Sequence, residues 1–358
     1  MKNEERFKLI KEVGEEINTE EELKEILEKK EALLAYDGFE PSGEVHIASA
    51  VLRAININKM VKAGCKFKIL VADWHAWANN KMEGDLDKIQ TVGKYFIEVW
   101  KAAGVDPDNV EFVWASELVD SEDYWKKVMQ IAINSTLNRV TRCSQIMGRS
   151  EKDNLSAAQI LYPCMQAADI FHLKADICQL GIDQRKVNML AREVGEKIGF
   201  YKPIVVSHHM LMGLQQPVSD ETDTVERAIA MKMSKSNPDS AIYVNDSEDE
   251  IKRKLKKAYC PEGEVKENPV LEYCKYIIFE KFSEVVIERP EKFGGSLKFD
   301  SYTALEEAFV NKELHPMDLK QAAAKYINDI ILPIRRHFEE NEEAKKLYET
   351  VKSYKVTR

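Results

Sequence analysis

No stretch of this chain approaches the ~20 consecutive apolar residues that span a bilayer. Its first 30 residues are dense in Glu and Lys, without the apolar core of a secretory signal or the arginine-rich, acid-poor pattern of a transit peptide. The expectation is a soluble, cytoplasmic protein with no membrane partner. The cysteines at 65, 143, 164, 178, 260 and 274 show no Cys-x-x-Cys spacing and lie mostly among apolar residues. They read as reduced core thiols, neither a disulfide framework nor a metal site. Positive charge is in deficit too: 52 Lys and Arg against 61 Asp and Glu leave a net charge of -9. A surface coated in positive potential is excluded, so any nucleic-acid contact must come from local clusters. Internal repeats and low-complexity tracts are also missing.

What is present is length and alternation. At 358 residues the chain exceeds one typical core, and two domains are expected. Residues 1–30 read as an appended helix, with Leu23, Ile26 and Leu27 on one face. Strands are expected over 32–36, 67–72, 110–114, 177–180 and 204–207. Helices are expected over 45–63, from an Asp85 N-cap to Gly104, and over 183–197. Strands alternating with helices imply a parallel sheet with ligands beyond its carboxyl ends. Residues 118–173 carry helices and no clear strand, which reads as an insertion. Ser247-Glu248-Asp249-Glu250 is a capping box, and beyond it the pattern is helical almost exclusively. The fold class is α/β, with a boundary near 243 before an all-α region.

The candidate chemistry lies in three segments. Lys232-Met233-Ser234-Lys235-Ser236 has two lysines, two serines and no acid, which suits a loop holding the charge of a departing polyphosphate. Glu40-Pro41-Ser42-Gly43-Glu44-Val45-His46-Ile47 has small residues at 42 and 43, letting backbone approach a ligand. It then opens a helix whose free amides face an anion. Tyr162, Gln166 and Asp169, at i, i+4 and i+7, share one helical face among apolar neighbours. Three buried polar groups need partners, either an internal hydrogen-bond network or a pocket for a small polar ligand. Pro163 would bend or begin that helix. His208-His209 lacks metal-site spacing and reads as loop. The run Lys252 to Lys257 is either a solvated face or a phosphate-backbone contact.

These motifs resemble the HIGH and KMSKS signatures of class I aminoacyl-tRNA synthetases, and nearly the whole chain looks like the tyrosyl type of archaea and eukaryotes. The likeness is strongest in Tyr36-Asp37-Gly38-Phe39-Glu40-Pro41-Ser42-Gly43, in Tyr162-Pro163-Cys164-Met165-Gln166-Ala167-Ala168-Asp169, in Gln184-Arg185-Lys186 and in His315-Pro316-Met317-Asp318-Leu319-Lys320. It implies a Rossmann-like catalytic domain over 31–242, a connective insertion over 118–160 forming a homodimer interface, and a helical anticodon-binding domain over 243–358. Tyr36 and Asp169 would hold the phenolic hydroxyl of L-tyrosine; Tyr162, Gln166 and Gln184 its ammonium. Gly43, His46, Ser49, Lys232, Ser234 and Lys235 would hold ATP, with Mg2+ carried mainly by its phosphates, and His46, Lys232 and Lys235 would be catalytic. Phe293 and His315 would stack on an anticodon base of tRNA(Tyr), with Asp318 bonding its edge. The sequence departs from H-x-G-H at His46-Ile47-Ala48-Ser49, where Ala48 stays small and Ser49 offers one hydrogen bond. Rivals are a tryptophanyl synthetase and an RNA-binding paralogue without amino-acid activation.

Overall fold

The structure is a computed structural model that describes residues 1–149, 153–217, 219, 221–233 and 237–354. Six strands form the central sheet: β1 (Glu16–Asn18), β2 (Leu33–Phe39), β3 (Cys65–Val71), β4 (Val110–Trp114), β5 (Ile177–Cys178) and β6 (Ile204–Ser207). Their order is β1-β6-β5-β2-β3-β4. Every pairing is parallel except β1 with β6. From β2 the chain winds outward through β3 and β4, then crosses to β5 on the other flank. The winding therefore reverses between β2 and β5, the position where open α/β sheets bind ligands.

The two-residue strand period splits the side chains between two cores. Ala35, Phe67, Ile69 and Val110 join one buried cluster; Tyr36, Leu70, Val113, Cys178 and Val205 join the other. The insertion helices cover the second face. Helix Ala157–Leu173 packs there, begun by a capping box between Ser156 and Gln159. Pro163 thus lies inside that helix and does not begin it.

Three expectations need correction. Residues 1–30 are two helices, Asn3–Val13 and Glu20–Lys29, separated by β1. Gly14 ends the first and Thr19 caps the second, so the intervening backbone is free to pair with the edge of β6. Leu23 and Leu27 are core residues, so this segment is built into the fold and not merely appended. The region after 243 is mainly helical but also holds a hairpin, β7 (Val285–Ile287) with β8 (Leu297–Phe299). Ser247 accepts from the Glu250 amide, but the reciprocal half of the capping box is not formed.

The first core cluster runs without interruption from Ile10 through the sheet to Val351. Residues beyond 243 thus supply part of the covering of one sheet face. Tyr95 meets Phe338 and Tyr348 at ring separations of 5.3 and 5.8 Å, and its hydroxyl accepts from Asn245. In the basic run, Lys254 is buried, donating to the Ala241 carbonyl and Asp246, while Arg253 pairs with Asp239 and Glu250. Lys254 is thereby absorbed into the fold, and Arg253 is held in ion pairs with acidic neighbours.

Candidate active site at the switch point

Two cavities open side by side at the carboxyl ends of β2 and β5. The first, about 170 Å³, is lined by Tyr36 from β2, by Tyr162, Gln166 and Asp169 from helix Ala157–Leu173, and by Gln184 from the turn after β5. All five residues expected around an amino acid are therefore brought together. Tyr36 is buried, and its hydroxyl has no hydrogen-bond partner among the described residues. Asp169 is fully buried: one oxygen accepts from the Tyr124 hydroxyl at 2.9 Å and the other lies 3.0 Å from His75 Nε2. Burial favours neutral His75, but the charge and hydrogen bonding of Asp169 outweigh it and hold the pKa above its ordinary value. Burial, with carboxylates nearby, lifts Tyr36, Tyr124 and Tyr162 well above the usual phenol range, so all three remain donors at neutral pH. At the other end Gln166 donates to Gln184 at 3.0 Å, and Gln184 donates to the Ile146 carbonyl. This orients both amides and leaves Gln166 Oε1 without a partner among the described residues.

The second cavity, about 180 Å³, is lined by His46, Ala48, Ser49 and Lys232, with Leu52, His208 and Leu211. Gly43, with φ +86°, makes the preceding turn. His46 is anchored by its backbone bridge to Tyr243, and its ring contacts the Ser49 amide at 3.3 Å and hydroxyl at 3.2 Å. Ser49 therefore meets His46 directly. The turn Ala48–Leu52 is π-helical, a widening that recurs at functional sites. Trp100 donates to the Ser49 carbonyl at 2.9 Å and fastens this turn to helix Leu86–Ala102. Lys232 donates to Asp183 at 2.9 Å; despite burial, that contact holds the Asp183 carboxyl below its ordinary range. Ser234, Lys235 and Ser236 lie outside the described residues.

Sequence reasoning missed several groups that line the cavities or support their lining. His75 and Tyr124 each follow the carboxyl end of a sheet strand, β3 or β4, and that position was the available signal. Asp37, pushed up to about 7 by burial against the opposing charge of Arg53, bonds Arg53 at 2.5 Å. His208 and His209 do lie in the loop after β6, yet both are packed into the fold. His208 is buried, 2.5 Å from Gln179 Nε2, and held well below the ordinary histidine range by burial and then Arg53. His209 lies 3.4 Å from Glu15 and 3.2 Å from Glu272, with its ring stacked on Tyr276. Burial disfavours its charge, but the two carboxylates prevail and raise it to about 9.

Phe293, His315 and Asp318 do not line either cavity. Phe293 projects from the β7–β8 connection and is 60% exposed. His315 caps helix Pro316–Glu340, accepting from the Met317 amide, and Asp318 lies in the first turn. Arg289 ties the two loops together, donating to the carbonyls of Gly295 and Glu313 at 2.9 and 2.8 Å.

Residues 28–331 match the family model described as tRNA synthetases class I (W and Y). The chain belongs to that family. Within it, tyrosine–tRNA ligase 1, cytoplasmic, of Arabidopsis thaliana is 54% identical over 358 residues, covering 99% of this chain and 90% of its own length. The Pyrococcus horikoshii tyrosyl-tRNA synthetase, solved with L-tyrosine, superposes with a TM-score of 0.90 at 40% identity, covering 98% of this chain and 100% of that one. The Leishmania major tyrosyl-tRNA synthetase, solved with tyrosinol, gives 0.90 at 45% identity over 99% of this chain and 53% of that longer one. This class I synthetase fold is the sheet described above, with both cavities at its reversal point.

Proposed function

We propose that this chain is a tyrosine–tRNA ligase: it activates L-tyrosine with ATP to tyrosyl-adenylate and pyrophosphate, then transfers tyrosine to the 3′ end of tRNA(Tyr). The observation that carries this reading is the pairing of the unpartnered Tyr36 hydroxyl with the fixed Asp169 carboxylate in one buried cavity. A phenol satisfies a donor and an acceptor together, whereas an indole offers no hydroxyl to either. A site with such partners rejects an analogue lacking the hydroxyl by about 10⁴- to 10⁵-fold without editing, and tyrosyl-tRNA synthetase is the established example of this discrimination.

In this reading Tyr162, Gln166 and Gln184 hold the ammonium and aim the carboxylate toward the second cavity. Gly43, His46, Ser49, Lys232, Ser234 and Lys235 hold ATP there. The nucleophile is already ionised, so the protein aligns the reactants and stabilises developing phosphate charge. Lys232, steadied by Asp183, and Lys235 receive the departing pyrophosphate, and His46 contacts the nucleotide near the reacting phosphate. ATP enters as its magnesium complex with Mg2+ on its phosphates. Among the described residues no group of three or more His, Cys, Asp or Glu is placed to hold a metal ion.

Residues 31–242 serve as the catalytic domain and 243–358 as the anticodon-binding domain, where Phe293 and His315 stack on a base and Asp318 bonds its edge. Aromatic stacking with one polar contact is the usual way to read an unpaired RNA base. The insertion forms a homodimer interface; Met129, Ile133 and Leu137 are 54%, 76% and 63% exposed there. A cytoplasmic location agrees with the name of the Arabidopsis relative, and no helix among the described residues is long and apolar enough to cross a membrane. The test is tyrosine-dependent exchange of labelled pyrophosphate into ATP beside phenylalanine and tryptophan. Exchange with tyrosine alone is expected. Absence of exchange from folded protein that still binds tRNA would overturn the reading in favour of a silent paralogue.

A further inference from the structure

We propose that Arg53 is a catalytic residue of adenylate formation, its guanidinium contacting the tyrosine carboxylate and the α-phosphate where the two cavities meet. The inference rests on the function proposed above. In that step a carboxylate oxygen bonds to the α-phosphorus while the bond from that phosphorus to the bridging oxygen breaks. The electron pair leaves with pyrophosphate, and no proton changes hands. Two negatively charged groups must therefore approach each other, and a cation at their meeting point lowers the barrier.

Among the described residues only Phe39, Arg53 and Asp183 line both cavities, and Arg53 is the cation of the three. The family's second signature histidine is replaced here by Ser49. Arg53 stands four residues further along the same helix, on the same face. It brings a permanent charge that a serine hydroxyl cannot supply. Lys232 is engaged by Asp183 on the side of the second cavity.

The guanidinium is also pre-positioned. One terminal nitrogen donates to Asp37 at 2.5 Å and lies 3.3 Å from His208 Nδ1, while the guanidinium carbon sits 4.8 Å from the centre of the Phe39 ring. The side chain is 14% exposed. Its Nε and second terminal nitrogen make no hydrogen bond among the described residues, so that edge keeps donors for oxygens arriving from either cavity.

A purely structural role, neutralising buried Asp37, predicts different behaviour, and a double substitution separates the two. Tyrosine-dependent pyrophosphate exchange and equilibrium tyrosine binding are measured for wild type, Arg53→Met, Arg53→Lys, Asp37→Asn and Asp37→Asn/Arg53→Met. Arg53→Met is expected to lower the exchange kcat by about 10²- to 10³-fold, the loss typical of removing one charge-stabilising donor, and to weaken equilibrium tyrosine binding by a much smaller factor, because the carboxylate contact is made in the ground state too. The double variant should stay as slow, and Arg53→Lys should recover part of the rate because it keeps the charge. Recovery of the double variant to the rate of Asp37→Asn would overturn the proposal, since removing Asp37 would then have removed the need for Arg53. If Arg53→Met fails to fold, Arg53→Gln, a polar side chain without charge, is read in the same way. Wild-type protein without exchange would sink the functional reading itself. Wild-type exchange that Arg53→Met leaves intact would sink only the role of Arg53.

Discussion

Asp169 is held from two sides before any ligand arrives, by the Tyr124 hydroxyl and by His75. A carboxylate whose rotamer is fixed in this way accepts a phenol without paying again for its own ordering. Asp169→Asn exchanges a charged acceptor for an amide and should raise the KM for tyrosine about 10- to 100-fold, from a loss of roughly 1–3 kcal/mol. It should also narrow the preference over phenylalanine; pyrophosphate exchange at varied amino-acid concentration measures both. His209 makes a different residue-level prediction. Its folded pKa of about 9 lies above the ordinary value of 6.5 because Glu15 and Glu272 outweigh burial. The stability it contributes is fully present below pH 6.5 and is lost as pH rises through about 9, up to about 3 kcal/mol in all. Wild type should therefore lose thermal stability between pH 7 and 10 relative to His209→Gln. Parallel melting curves for the two proteins would refute this.

At the scale of elements, helix Leu86–Ala102 meets the sheet at Gly93, where an added Cβ would lie 2.6 Å from Trp114 and 2.9 Å from Val71. Neither neighbour is a flexible side chain. Gly93→Ala should cost about 1–3 kcal/mol by overpacking, read as a lower Tm in thermal denaturation. The β7–β8 connection is the opposite case. Phe293 is exposed there, so Phe293→Ala should leave stability and pyrophosphate exchange unchanged. Charging of tRNA should fall about 10- to 100-fold in kcat/KM, the worth of one stacked base. Equal loss in both half-reactions would remove Phe293 from RNA recognition.

At the scale of the molecule, the helices beyond 243 close one face of the catalytic sheet, and the N-terminal segment extends one of its edges. His209 joins these parts, with Glu15 from the N-terminal segment and Glu272 from the C-terminal region on its two nitrogens. Met129, Ile133 and Leu137 are exposed apolar side chains on the insertion, where the proposed dimer would place a second copy. Ile133→Asp should convert a dimer to monomers in sedimentation velocity; wild type that sediments as a monomer would refute the interface.

The sequence by itself determined the strands with a strong apolar period, β3, β4 and β6, the cap at Asp85, and the shared face of Tyr162, Gln166 and Asp169. These depend on local spacing, which a linear chain displays. It did not reveal β1 or the β7–β8 hairpin, because three-residue strands carry too little pattern and owe their form to a pairing partner. Nor could it place His75 and Tyr124 on Asp169, or Arg53 between Asp37 and the second cavity. The contacts on Asp169 join residues far apart in sequence and need the sheet's reversal between β2 and β5, while Arg53 reaches Asp37 only because the helix after β2 folds back over the carboxyl end of that strand.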